Sequence, residues 1–169
     1  MITKSMVDLE QFKKLFNPLP GNHYLHITTA LDDMAFLFEK MMQDIGGKFN
    51  LAIYDQNNLQ ADLKLPYTNI QYVKDFKTPF RSLPRDHDIV VIKDVFCTHE
   101  NQKMILKLAY LTLANAANII IIEKKGVMDI EAVKTMLQEY EFRAPNEIDI
   151  IDGYDLVMAK KMHMWGNGL

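Results

Sequence analysis

Hydrophobic positions along this chain fall into two rhythms that alternate from one end to the other. From Val7 to Phe16, Leu9, Phe12 and Phe16 recur at helical spacing, with Glu10, Lys13 and Lys14 facing elsewhere. Asn17-Pro18-Leu19-Pro20-Gly21 then breaks that helix. Tyr24 to Thr28 reads as a short strand. The most regular stripe follows: Leu31, Met34, Ala35, Phe38, Met41, Met42 and Ile45 line one face of an amphipathic helix. Thr29 is its expected cap, Asp32 and Asp33 suit its positive end, and Gly46-Gly47 stop it.

Strand signals come next at Leu51–Tyr54, which ends at Asp55, and at Ile70–Val73, which ends near Asp75. The polar stretch between them has weak helical character. Pro79 and Pro84 mark a loop, and Ile89-Val90-Val91-Ile92 is a continuous buried-strand signal. After Thr98, Met104, Ile105, Leu108 and Leu111 predict a helix leading into the aliphatic run Ile119–Ile122. Asp129 caps a helix carrying Ile130, Val133, Leu137 and Tyr140. Ile148–Ile151 and Leu156–Ala159 read as a closing hairpin around Asp152-Gly153.

Strands joined through helices or long crossovers imply a mostly parallel sheet covered on both faces. The closing hairpin makes the last strand antiparallel. The expected fold is α/β: a three-layer, doubly wound, seven-stranded sheet with six parallel strands and an antiparallel last one. With no repeats or linkers, residues 1–169 form one domain, of which 1–20 are an N-terminal helix and linker.

Composition narrows the class. The chain is 49% hydrophobic and 24% charged, as an ordinary globular domain is, and its formal charge of −3 gives no overall attraction for nucleic acid or acidic lipid. A single cysteine, Cys97, excludes an internal disulfide, and no hydrophobic signal core opens the chain. The expected location is therefore the cytoplasm, with no membrane span, because the longest aliphatic run is too short. The eleven methionines read mostly as core filler.

Candidate chemistry gathers at strand ends. Asp55 and Asp75 stand where open α/β sheets bind ligands, and a carboxylate there can accept hydrogen bonds from two neighbouring hydroxyls. The bland reading is that both acids solvate strand ends. The stretch Asp75-Phe76-Lys77-Thr78-Pro79-Phe80, then His87-Asp88-Ile89-Val90-Val91-Ile92, then Asp94-Val95-Phe96 and His99, resembles the class I S-adenosylmethionine-dependent methyltransferases. The order of strands and the antiparallel close resemble that family too. The resemblance covers roughly residues 22–162 as architecture and less than half of that as motif.

The resemblance implies S-adenosylmethionine as cofactor. Its ribose would lie on Asp55, its adenine near Asp75 and Phe76, and its methionine part over Thr28, Thr29 and Ala30, with Asp94 closing the site. His99 is the candidate on the substrate side. The acceptor is open among a small molecule, RNA and a protein side chain, and homo-oligomerisation is also open. One departure stands out. In His26-Ile27-Thr28-Thr29-Ala30-Leu31-Asp32, His26 replaces the family's acid, and Thr28, Ala30 and Asp32 replace its glycines. Those glycines allow positive φ and close approach of the ligand to bare backbone. Asp32 and Asp33 would also repel the cofactor carboxylate unless water or a cation intervened. An altered cofactor geometry, a different ligand, and a non-catalytic binding or scaffold module all fit.

Other signals are weaker. The five histidines show no zinc spacing, and neither dinucleotide nor P-loop glycine motifs occur. Cys97, His99 and Glu100 can be drawn as a metal site, but solvation of a helix start explains them better. Cys97 is expected to be packed, not nucleophilic. Lys160, Lys161, His163 and Trp165 form a small basic-aromatic tail, read as a solvated strand end with one anchoring ring, and Gly166-Asn167-Gly168 as a frayed terminus.

Overall fold

The computed structural model describes residues 9–55 and 65–162. The start of the first helix at Val7, the polar stretch after Asp55, and the tail residues from His163 onward lie outside the described residues. The elements run α1 (Leu9–Lys13), β1 (His23–Thr28), α2 (Asp33–Asp44), β2 (Lys48–Tyr54), β3 (Thr68–Val73), β4 (His87–Lys93), α3 (Gln102–Thr112), β5 (Leu113–Lys124), α4 (Ile130–Glu139), β6 (Phe142–Glu147) and β7 (Tyr154–Lys161).

The strands form one seven-stranded sheet in the order β3-β2-β1-β4-β5-β7-β6. Neighbours from β3 to β5 pair in parallel, whereas β7 pairs antiparallel with both β5 and β6. Six strands therefore point one way, and β7 is inserted against them. Alternation along each strand sends side chains to two separate cores. Leu25, Ile27, Val90, Ile92, Ile119 and Ile121 meet α3, α4 and Phe80 on one face. Tyr24, Leu51, Ile53, Val91, Ile120 and Ile122 meet α1 and α2 on the other. The central strands are apolar on both faces because helices or connections cover both.

Several boundaries differ from the sequence expectation. The cap of α2 is Asp32, whose side chain accepts from the Ala35 N–H, so Thr29 is left in the preceding turn. Asn101 caps α3 and Asp129 caps α4. The closing hairpin exists, but its first strand is Phe142–Glu147 and not Ile148–Ile151. An edge strand needs little apolar surface: Arg143, Ala144, Asn146 and Glu147 are exposed, and Pro145 is tolerated where a missing N–H goes unnoticed. Ile148, Ile150 and Ile151 instead turn back onto the α1–α2 core, and Gly153 closes the turn at φ 83°.

The connection from β3 to β4 contains no helix. Residues 74–86 cross the α3 face of the sheet as an extended strap. Tyr54 donates its hydroxyl to Thr78 O at 2.8 Å, Gln71 exchanges two bonds with the Arg81 backbone, and the Arg85 and Asp86 amides donate to Leu111 O and Thr112 O. No described helix is long and apolar enough to cross a membrane.

Candidate functional site

Because β1 to β4 run parallel, their carboxyl ends meet along one edge, and the strand order reverses at β1 between β2 and β4. Ligands of open α/β sheets bind at such a crevice. Thr28 ends β1, Asp55 follows β2, Asp75 and Phe76 follow β3, and Asp94 follows β4. The structure thus brings these expected residues to one edge.

The turn after β1 solves the missing-glycine problem by avoiding it. None of Thr28 to Asp32 has a positive φ, so this turn never enters the region that would demand glycine. Thr28 is buried, and its Oγ1 has no hydrogen-bond partner among the described residues. Thr29 and Ala30 are partly exposed at the crevice. At β4 the positive φ falls on Asp94, at 62°, where the chain leaves the strand.

Charges at this edge are organised around Lys93. Its Nζ lies 3.0 Å from Asp32 Oδ2 and 2.8 Å from Asp94 Oδ2, and 5.1 Å from the centroid of the Tyr154 ring. The lysine is largely buried. The two carboxylates outweigh that burial and hold its ammonium well above its ordinary pKa. Burial raises the Asp32 pKa, but His26, Lys93 and the Ala35 N–H outweigh it and leave the carboxyl below its usual range. Of the two mediators the sequence reading allowed beside Asp32, water or a cation, Lys93 is a cation. The sequence reading missed it: a lysine closing an apolar strand gives no local sign of a partner on another strand's loop.

Beneath this triad His26 is fully buried on β1. Its Nδ1 faces Val91 O at 3.2 Å, its Nε2 has no partner among the described residues, and burial pushes its pKa down to about 4. The ring is neutral and packs edge-on against Phe38. It therefore takes the place of a carboxylate without supplying a charge.

At the β2–β3 end, Asp55 is buried to 9% relative exposure, and its amide donates to Val73 O. Asp75 Oδ1 accepts from Thr78 Oγ1 at 2.7 Å and the Lys77 N–H at 3.0 Å; the hydroxyl bond does most to lower its pKa. Phe76 stacks on Tyr54 at 5.4 Å, with 19° between the rings.

His99 is buried, and both its nitrogens are engaged. Nδ1 accepts from the Asn101 N–H at 2.9 Å, so Nε2 carries the proton and donates to Thr78 O at 3.2 Å. The ring fastens the strap to the start of α3. Cys97 is half-buried, and its thiol is pushed up to about 12 by burial and by Glu123. Glu123, at the end of β5, is buried and accepts the Cys97 N–H; burial raises its pKa. Sequence reasoning had passed over Glu123, which looks like a solvated strand end until β7 covers it.

The sheet order, the inserted antiparallel strand and the helices on both faces define the class I S-adenosylmethionine-dependent methyltransferase fold. A methyltransferase from Aquifex aeolicus that depends on S-adenosylmethionine is 17% identical over 92% of this chain and 90% of its own, with a TM-score of 0.69. Phosphoethanolamine N-methyltransferase 2 of Haemonchus contortus, in complex with S-adenosyl-L-methionine, is 10% identical over 90% of this chain and 51% of its own, with a TM-score of 0.68. The CMeT domain of the citrinin polyketide synthase gives 11%, 92%, 51% and 0.68 in the same order. This chain spans 51% of the length of the latter two. No family model and no curated protein matches the chain. The likeness is one of fold.

Proposed function

We propose that this protein is an S-adenosylmethionine-dependent methyltransferase whose cofactor lies along the carboxyl edge of β1, β2 and β4. The observation that carries the reading is the order of charges along that edge. Asp55 sits at one end, where a ribose diol can donate two hydrogen bonds to a carboxylate. The Asp32–Lys93–Asp94 triad sits at the other end, with both signs of charge about 3 Å apart. An α-amino acid end carries both signs too. Lys93 would receive the cofactor carboxylate, and Asp32 and Asp94 its ammonium. Side-chain charges here take over what bare glycine backbone does in the family pattern.

Asp75 and the stacked Phe76–Tyr54 pair lie on the adenine side, and Thr28, Thr29 and Ala30 line the floor. When bound, the cofactor supplies a methyl group on a sulfonium, ready for transfer to a nucleophile. The acceptor class remains a small molecule, RNA or a protein side chain.

A second reading, a non-catalytic binding module, is favoured by a specific observation. Lys93 is already paired with both acids, and both His99 nitrogens are engaged in hydrogen bonds. Calorimetric titration with S-adenosylmethionine and S-adenosylhomocysteine separates the two. Micromolar binding that weakens by about one to two decades in Asp55→Ala supports the first reading, since a hydrogen bond to a charged group is worth roughly 1.5–3 kcal/mol. A folded wild type that binds neither at millimolar concentration supports the second. A stable protein partner recovered by co-purification would strengthen the second reading further.

A further inference from the structure

A cavity of about 370 Å³ lies at the opposite, amino-terminal edge of the sheet, lined by Lys48, Asn50, Asn69, Arg81, Asp86 and His87 among others. It exists because the strap 74–86 crosses the sheet without a helix to fill the space beneath it. Asn50 and Asn69 are paired in register on β2 and β3, and their side chains point to the same face as Ala52 and Val73. The crevice described above is at the other ends of the same strands.

The groups around this cavity share one deficit. Asn69 Nδ2 donates to Asn50 Oδ1 at 3.2 Å, and Asn50 Nδ2 lies 2.8 Å from His87 Nε2. An amide nitrogen only donates, so His87 Nε2 accepts and Nδ1 carries the proton. That Nδ1 is buried and has no hydrogen-bond partner among the described residues; Asp86 Oδ2 is 4.0 Å away and is shared with His23 Nδ1 at 3.3 Å. His87 itself is 1% exposed. A buried donor without an acceptor is costly, and each native case calls for an explanation. On the rim, Lys48 and Arg81 both line the cavity, and neither side chain makes an ion pair among the described residues.

A buried N–H without an acceptor and two unpaired cations all call for the same thing, an anion rich in acceptors. Asp86 narrows the choice, because its carboxylate also lines the cavity, so both cations are required to outweigh it. We infer that this cavity binds a small phosphate-bearing ligand, with the phosphate between Lys48 and Arg81 and above the His87 N–H. The Asn50–Asn69 amides hold the carbon part. The volume exceeds that of inorganic phosphate and leaves room for a short polyol.

The test uses the whole chain, titrated with inorganic phosphate and with glycerol 3-phosphate while the His87 ring nitrogens are followed by long-range ¹H–¹⁵N NMR. The expected result is saturable binding of both ligands, tighter for the ester, with a shift at Nδ1. Lys48→Gln and Arg81→Gln, both at exposed positions, should each weaken binding by about tenfold, with melting unchanged. S-adenosylmethionine titration of the same variants should match the wild type, which separates this site from the carboxyl-edge crevice. No saturation by either probe at tens of millimolar, or an affinity in both variants equal to that of the wild type, would overturn the inference.

Discussion

His26 and His87 should make the fold sensitive to mild acid, at a pH where most carboxylates are still ionised. Each is buried as a neutral ring, and burial, the largest cause in both, pushes each pKa from 6.5 to about 4. For His26 the opposing pull of Asp32 is weaker than burial; for His87 Asp86 and Asp88 oppose, while His23 and Lys48 assist. In the unfolded chain both rings protonate near 6.5. Between about pH 6.5 and pH 4 the unfolded state therefore holds protons that the folded state refuses, and stability falls as pH falls through that window. A displacement of this size is worth about 3 kcal/mol per ring, so about 6 kcal/mol for the pair, against a typical domain stability of about 5–15 kcal/mol. Glu123 works in the opposite direction: its raised pKa lets the folded state take up a proton first, which offsets part of the loss. Asp32, with its lowered pKa, adds its own loss only below the ordinary carboxylate range. Urea unfolding at half-unit steps from about pH 7 to about pH 5 should give a slope approaching about 3 kcal/mol per pH unit. His26→Leu should roughly halve that slope, whatever it does to stability at neutral pH. A free energy that stays flat across the window, or an unchanged slope in the variant, would refute the assignment of buried neutral rings.

Three further outcomes follow from the same geometry. Lys93→Met leaves Asp32 and Asp94 facing each other without their cation, and should cost about 1–3 kcal/mol in urea unfolding while weakening S-adenosylmethionine binding by calorimetry. Gly47→Ala, just before β2, should lower the melting temperature by several degrees, because its Cβ would run into the backbone carbonyl of Asn22, just before β1, a strain of about 1–3 kcal/mol. Cys97, with its thiol pushed up to about 12, should react with iodoacetamide at pH 8 far more slowly than a free thiol, and Glu123→Gln should speed the reaction.

By itself the sequence determined what depends on neighbours along the chain. The 3.6-residue stripe of α2, the apolar runs of β4 and β5, and the acids ending β2 and β3 are local patterns, and each appears in the structure where it was expected. The antiparallel close was legible from Asp152-Gly153, since a turn signal is also local. Only the tertiary structure decided the rest. Ile148–Ile151 looks like a strand because it is apolar, yet an edge strand can be polar, and the isoleucines are needed by the core beneath. The meaning of Asp32 depended on Lys93, which sequence distance separates from it and the β1–β4 pairing brings to 3.0 Å. The part His99 plays in fastening the strap to α3 was not legible either, because its Nε2–H donates to Thr78 O and its Nδ1 accepts from the Asn101 N–H. His87, which the sequence showed only as the polar opening of a strand, became a buried donor once β2 placed Asn50 against it. Patterns along the chain specify which faces are buried, but the charge and hydrogen-bond partners of a buried polar group come from strands that are distant in sequence. The physical reason is that burial makes those partners obligatory without encoding them nearby.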